Sequence, residues 1–220
     1  MKFIVLAVTK SWDGFCIAGM NEDGEWIRPI SRTSAGRFWT RDELTIDGRF
    51  VRVGDVWEIN GQQPAMFDYP NHTEDFHVIE WSFEESLTHT ELLEFLEDHC
   101  EGEEDLADVF AANGRSLCLV KVDRFTHYST HYDDKHRARM IFSSAELDMN
   151  NHHTNNGNVV VKDCKWEGQI LRNGRISSAY EQIYVCIGNA TPSPYDGVEY
   201  PQVIGLHTSP HLAYSNHYPD

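Results

Sequence analysis

The sequence predicts a mainly β chain of two small barrels joined by a short helical connector. Three observations carry this reading. Short apolar runs rich in β-branched residues recur in two series, and Asn, Gly and Asp clusters punctuate both. Helix signals are confined to the stretch between the two series. The charge divides along the same line. The 220-residue chain has a formal net charge of −17, yet residues 1–60 hold eight Lys/Arg against nine Asp/Glu, and residues 115–220 hold ten against eleven. Residues 61–114 hold fifteen Asp/Glu and no Lys/Arg. The acidity therefore belongs to the middle segment, and the flanks are near neutral. A hydrophobic content of 40% with 12% aromatics supplies real cores and excludes wholesale disorder.

Taken in order, Lys2 to Lys10 reads as a core strand, Ser11-Trp12-Asp13-Gly14 as a turn and Phe15 to Met20 as the returning strand. After the turn Asn21 to Gly24, the stretch Glu25 to Ile30 makes a third strand. Alternation there puts Trp26, Arg28 and Ile30 on one face and Ile27 and Pro29 on the other. Pro29 offers no ladder donor, which favours an edge or a bulge. Residues 31–50 read as polar and irregular, Phe50 to Asn60 as a strand, and residues 61–83 as an extended loop. Thr88-x-x-Glu91 then fits a capping box ahead of Leu92, Leu93, Phe95 and Leu96. Leu106, Val109 and Phe110 mark a second short helix, stopped at Asn113-Gly114. Strand character resumes at Ser116 to Val122 and returns at Arg137 to Phe142, Val159 to Asp163, Ile183 to Ile187 and Pro201 to Leu206. The division is a first barrel at 1–83, an acidic helical connector at 84–114, a second barrel at 115–207 and a tail at 208–220.

The five cysteines are widely spaced, without a Cys-x-x-Cys pair, and read as small buried hydrophobes in a reducing compartment. The apolar run Phe3 to Val8 is far shorter than the ~20 residues of a membrane span. The expectation is a soluble, cytoplasmic protein without membrane contact.

The stretch Gly24-Glu25-Trp26-Ile27-Arg28-Pro29-Ile30-Ser31, placed after an opening strand and a turn, resembles the dual OB-domain (DuOB) family. Gly54-Asp55-Val56-Trp57-Glu58-Ile59, the loop Asn71 to Asp75, Arg137 to Phe142 and Val161-Lys162-Asp163 before Trp166 are similar to the family as well. The long acidic connector departs from its pattern. The resemblance implies two OB-like β-barrels in one chain and binding of single-stranded nucleic acid or a nucleotide, in a prokaryotic or phage conflict setting, with no catalytic set to carry over.

OB barrels hold single strands by stacking bases on aromatics and tracking phosphates with basic residues. Trp26, Arg28, Arg32, Arg37, Trp39 and Arg41 crowd sixteen residues of the first barrel and form the candidate ligand set, with Arg137 and Arg139 as a second cluster. The alternative for the first cluster is a buried Trp26 with Arg28 paired to connector carboxylates such as Glu103 or Glu104. Two other functions stay open. One is a protein-interaction adaptor that docks a basic partner on the acidic segment 84–108. The other is an enzyme with a site between the barrels. Twelve histidines, among them His127, His131, His136, His152, His153, His207 and His211, have loosely metal-like separations, but no His-Glu-x-x-His pattern occurs. No nucleophile elbow or phosphate-cradling glycine loop is present. The expectation is a non-catalytic module without metal or cofactor.

Overall fold

The computed structural model describes residues 1–11, 14–31, 37–132, 135–143, 158–173 and 180–211. The first barrel is built from β1 (Lys2–Ser11), β2 (Gly14–Met20), β3 (Trp26–Ser31), a small hairpin of β4 (Thr45–Ile46) and β5 (Arg49–Phe50), then β6 (Asp55–Gln62) and β7 (Asp75–Ser86). Its closed order is β1-β2-β3-β7-β6. β3 and β7 run parallel and the other pairs antiparallel. The ring closes because β1 serves two neighbours. Lys2 to Ile4 pair with Glu58 to Val56, while Ile4 to Ser11 pair with β2, and an irregularity between Val5 and Ala7 bends the strand between the two jobs. This is the five-stranded Greek-key barrel of the OB fold.

Alternation fills its interior with Phe3, Val5, Val8, Phe15, Ile17, Ile27, Trp57, Ile59 and Val78. The segment after β3 is less irregular than its composition suggests. Asp47 (φ 51°) and Gly48 (φ 79°) make the two-residue turn of the β4–β5 hairpin, and Trp39, Leu44 and Val51 drop into the barrel core. Pro29 sits where β3 has parted from β2, whose pairing covers only Trp26 and Ile27. Its missing N–H is therefore not needed there, and its carbonyl accepts from Trp39 Nε1 at 2.8 Å. Residues 61–83 are also more ordered than an extended loop. β6 reaches Gln62, and β7 begins at Asp75 and runs past residue 83 to Ser86. The carboxylates Glu80, Glu84 and Glu85 lie on its exposed side, which disguises a strand as a polar loop.

Two helices follow, α1 (His89–Asp98) and α2 (Glu103–Phe110). The Thr88/Glu91 capping box forms, with Glu91 N donating to Thr88 Oγ1 and Thr88 N to Glu91 Oε2. Neither helix stands free. α1 buries Leu92, Leu93 and Leu96 in the seam between the barrels, and α2 sinks Leu106, Val109 and Phe110 into the second core.

The second barrel comprises β8 (Leu117–Lys121), β9 (Arg124–Tyr132), β10 (Lys135–Ser143), β11 (Asn158–Val161), α3 (Cys164–Asn173), β12 (Gln182–Asn189) and β13 (Pro201–Ser209). The sheet order is β8-β12-β13-β11-β10-β9, with β11 parallel to β13. Only Val122 and Asp123 separate β8 from β9, so the two ends of this sheet are successive halves of one bent strand. The order then repeats that of the first barrel. β9 and α3 lie outside the strands and helices expected from the sequence. β9, Arg-Phe-Thr-His-Tyr-Ser-Thr-His-Tyr, is too polar to register as a core strand. α3 starts on Asp163, whose Oδ1 accepts from the Lys165 and Trp166 amides at 2.8 and 3.1 Å. It inserts Trp166 and Ile170 into the core. β13 continues through His207 and Thr208 to Ser209, and most of the remaining tail falls outside the described residues.

The barrels dock face to back. The outer surface of β1 and β2 (Ile4, Leu6, Ala7, Ala18, Met20) meets the outer surface of β8, β12 and β13 (Leu117, Leu119, Tyr184, Cys186, Ile204). A Cβ on Gly205 would come within 2.6 Å of the Leu6 carbonyl oxygen, so only glycine lets the two backbones approach this closely. Among the described residues no helix is long and apolar enough to cross a membrane.

Candidate functional site

The docking decides what each arginine can do. The parallel register of β3 and β7 sets Arg28 directly opposite Asp75. Its Nη1 donates to Asp75 Oδ1 at 3.0 Å and its Nη2 to Ser116 Oγ at 2.6 Å, leaving Arg28 4% exposed. Arg37 reaches the same carboxylate, with Nη2 2.7 Å from Asp75 Oδ1 and 2.8 Å from His72 Nδ1, and lies over the Tyr69 ring. One buried carboxylate thus joins two guanidiniums, with a serine of the second barrel completing the knot. Arg28 does not pair with Glu103 or Glu104; its partner comes from its own barrel because the β3–β7 register fixes it. Trp26 is the residue that meets the connector, donating Nε1 to Glu101 Oε2 at 2.8 Å. Glu101 also holds the Arg115 guanidinium and the Leu119 amide.

Trp39 belongs to the candidate ligand set by sequence, but it is fully buried in the first core, edge-on to Trp81 at 4.9 Å. No base can stack on it. Arg41 is exposed and lies over the Phe50 ring. Arg32 lies outside the described residues.

A cavity of about 120 Å³ opens where β1, β2 and Arg28 of the first barrel meet the second barrel. Arg28, Arg37, Cys16, Lys10 and His72 line it from the first side, and Asn189, Thr191, Gln202 and Lys162 from the other. His72 is 2% exposed. Burial, then the positive charges of Arg28 and Arg37, push its pKa down to about 2, against a weaker pull from the Ala190 backbone. The ring is therefore neutral. A guanidinium can only donate, so Nδ1 facing Arg37 is the acceptor and Nε2 carries the hydrogen.

Among the described residues, part of the second barrel's outer face is exposed. On β10, Ala138 and Met140 are fully buried, while Arg137 is exposed, Arg139 half-buried and Ile141 39% exposed. Cross-strand partners point to the same side. Three rows therefore cross the outer surface: Thr130 beside Arg137, Tyr128 beside Arg139 and Val160, and Thr126 beside Ile141 and Asn158. Asn158 Nδ2 donates to the Tyr128 hydroxyl and fixes that ring on the surface. Arg124, at the start of β9, is exposed as well. Sequence reading finds Arg137 and Arg139 but misses Tyr128. The signal that could have found it is the period-2 alternation of Thr126, Tyr128 and Thr130, in step with the two arginines across a hairpin.

The histidines are dispersed. His131 and His136 are a cross-strand pair with rings 4.8 Å apart, and His211 lies against His89 at 4.4 Å. His207 is buried with Nε2 3.6 Å from Cys186 Sγ. His152 and His153 lie outside the described residues. Among the described residues no three His, Cys, Asp or Glu side chains converge as a metal site would require. The thiols are not activated either. Burial raises the pKa values of Cys16, Cys100, Cys118, Cys164 and Cys186.

Two Greek-key barrels, the first set with the outer surface of β1 and β2 against the second, define a tandem OB-fold protein. The chain matches the model of the dual OB-containing domain over residues 1–206 and belongs to that family. No curated protein matches it. OB barrels bind oligonucleotides and oligosaccharides on the face of their second and third strands.

Proposed function

We propose that this protein binds single-stranded nucleic acid on the outer face of β9, β10 and β11, without catalysing a reaction. The observation that carries the reading is the row Tyr128–Arg139 next to Arg137, on the second barrel's β10–β11 face, where Arg137 and Ile141 are exposed among the described residues. A phenol ring accepts a stacked base, and the guanidiniums track the adjacent phosphates. Exposed Ile141 extends the apolar floor by one base-sized step. The first barrel's arginines serve a different purpose in this reading: they hold the two barrels in register.

The test is fluorescence anisotropy with labelled single-stranded RNA and DNA at 50 and 200 mM salt, roughly the span over which phosphate contacts declare themselves. If Arg124, Arg137 and Arg139 each meet a phosphate, the logarithm of affinity falls with that of salt with a slope of about −2. Affinity that ignores salt, or that survives Arg137→Ala with Arg139→Ala unchanged, overturns the reading.

A further inference from the structure

We propose that the cavity between the barrels is a binding site for a compact oxyanion of the phosphate class, supplied either as free inorganic phosphate or as the phosphate end of a mononucleotide. It is separate from the β9–β11 face and does not depend on it.

Position gives the first argument. The cavity is walled on the first-barrel side by β1 and β2, with Arg28 alone from β3, and so borders the strands on which an OB fold holds its ligand. Thr9, Cys16, Ala18 and Arg28 form one wall, and Gly188 to Thr191 with Gln202 form the other. At about 120 Å³ it excludes a polynucleotide and admits a small group.

Charge gives the second. The chain is strongly acidic overall, yet two guanidiniums here share the single carboxylate of Asp75, and Lys10 and Lys162 also line the space. Of the other nearby acids, Asp68 and Glu167 stand 4.0 Å from Arg37 and Lys162, at the outer limit of an ion pair. Glu74 is occupied by the Ser116 and Leu117 amides and the Ser116 hydroxyl. Glu199 is buried beside Asn71, and its burial favours the uncharged acid.

Hydrogen bonding gives the third. Arg37 Nη1 and Asn189 Oδ1, buried atoms of lining residues, lack a hydrogen-bond partner, and the His72 ring N–H has only the weak Ala190 backbone contact. Arg37 Nη1 is 4.0 Å from Asp68, and His72 Nε2 is 4.0 Å from Glu199. His72 and Asn189 are 2% and 6% exposed. Buried groups of this kind are costly to leave unmatched. Two are donors and one is an acceptor. A hydrogen phosphate group matches that set, accepting from Arg37 and His72 and donating its own hydroxyl to Asn189.

The experiment is isothermal titration of the full chain with inorganic phosphate, AMP and UMP at chloride-matched ionic strength, repeated on three variants. Arg37→Gln removes a donor and a charge. Thr191→Trp plugs the cavity from its half-buried wall and leaves every charge in place. Arg137→Ala/Arg139→Ala alters only the exposed face. The expected result is one saturable site, at least tenfold weaker in the first two variants and unchanged in the third. Nucleotides that bind at least tenfold tighter than phosphate identify the source as a nucleotide; phosphate alone binding identifies the free ion. If Arg37→Gln fails to fold by circular dichroism, the Thr191→Trp result decides. Absence of binding by all probes, binding that Thr191→Trp leaves intact, or loss in the exposed-face variant overturns the proposal.

Discussion

Arg28 and Asp75 face each other across the parallel β3–β7 pair and close a buried ion pair at 3.0 Å. Asp75 is 1% exposed and also holds Arg37, so the two ends of the pair are not equivalent. Removing Asp75 strands the buried Arg28 and the half-buried Arg37, whereas removing Arg28 leaves Asp75 paired. Asp75→Ala is expected to cost about 3–5 kcal/mol, the range for orphaning a buried charge, and Arg28→Ala less. Urea unfolding of the two variants checks the order. A larger loss in Arg28→Ala contradicts the shared-carboxylate geometry.

Trp39 is a core residue, and its substitution should behave as one. Trp39→Ala removes a fully buried core side chain that packs edge-on to Trp81, together with the hydrogen bond to Pro29. The expected cost is about 3–5 kcal/mol. Nucleic-acid affinity of the fraction that remains folded, measured by anisotropy at low temperature, should match the wild type. Selective loss of affinity with full stability would return Trp39 to the ligand set.

The exposed face makes the complementary prediction. Arg137→Ala with Arg139→Ala should flatten the salt slope by about 1.4, two phosphates at about 0.7 each, and leave the melting temperature nearly unchanged because neither residue is buried. Tyr128→Ala should weaken binding by about 1–3 kcal/mol, the usual value of one stacked base, without altering the slope. A slope change in Tyr128→Ala, or none in the arginine pair, separates stacking from phosphate contact in the wrong way and defeats the assignment.

What the sequence could and could not tell follows from which interactions are local. The strands β1, β2, β3, β8, β12 and β13 are apolar runs bounded by turns, and the Thr88/Glu91 cap is a four-residue pattern, so all of these are legible along the chain. β9 is not, because its inward face at Phe125 and His127 is only partly buried and its outward face is polar. β7 is hidden by its exposed carboxylates in the same way. The fate of Trp26 and Arg28 was beyond any local pattern. Alternation correctly puts them on one face of β3, but that face is covered by residues 75 to 90 positions away, Glu101 and Ser116 among them. Composition also misleads about the connector. Its net charge marks it as a solvated link, whereas Leu96, Leu106 and Val109 are buried in the cores it joins.

His207 supplies a pH-dependence. It is 4% exposed beside Cys186 on β12, and burial, then Lys165, pushes its pKa down to about 3. An unfolded histidine titrates near 6.5. Above that pH both states are neutral and the group has no effect on the folding equilibrium. Below it the unfolded chain takes up a proton that the folded chain refuses, so stability is lost as pH falls from 6.5 towards the folded value. The loss is about 1.4 kcal/mol per pH unit for one such group. His72, Glu199, Asp163 and the lowered carboxylates Glu91, Glu97 and Asp196 also contribute to the pH profile of the wild type. The comparison must therefore be with a variant that changes one group only. His207→Gln keeps a polar side chain of similar length and cannot protonate. Between pH 6.5 and 5.0 the wild type should lose about 2 kcal/mol more than His207→Gln, read from urea midpoints at each pH. Parallel pH profiles for the two proteins would mean that His207 titrates in the folded state as it does in the unfolded one, and that the seam around it admits water.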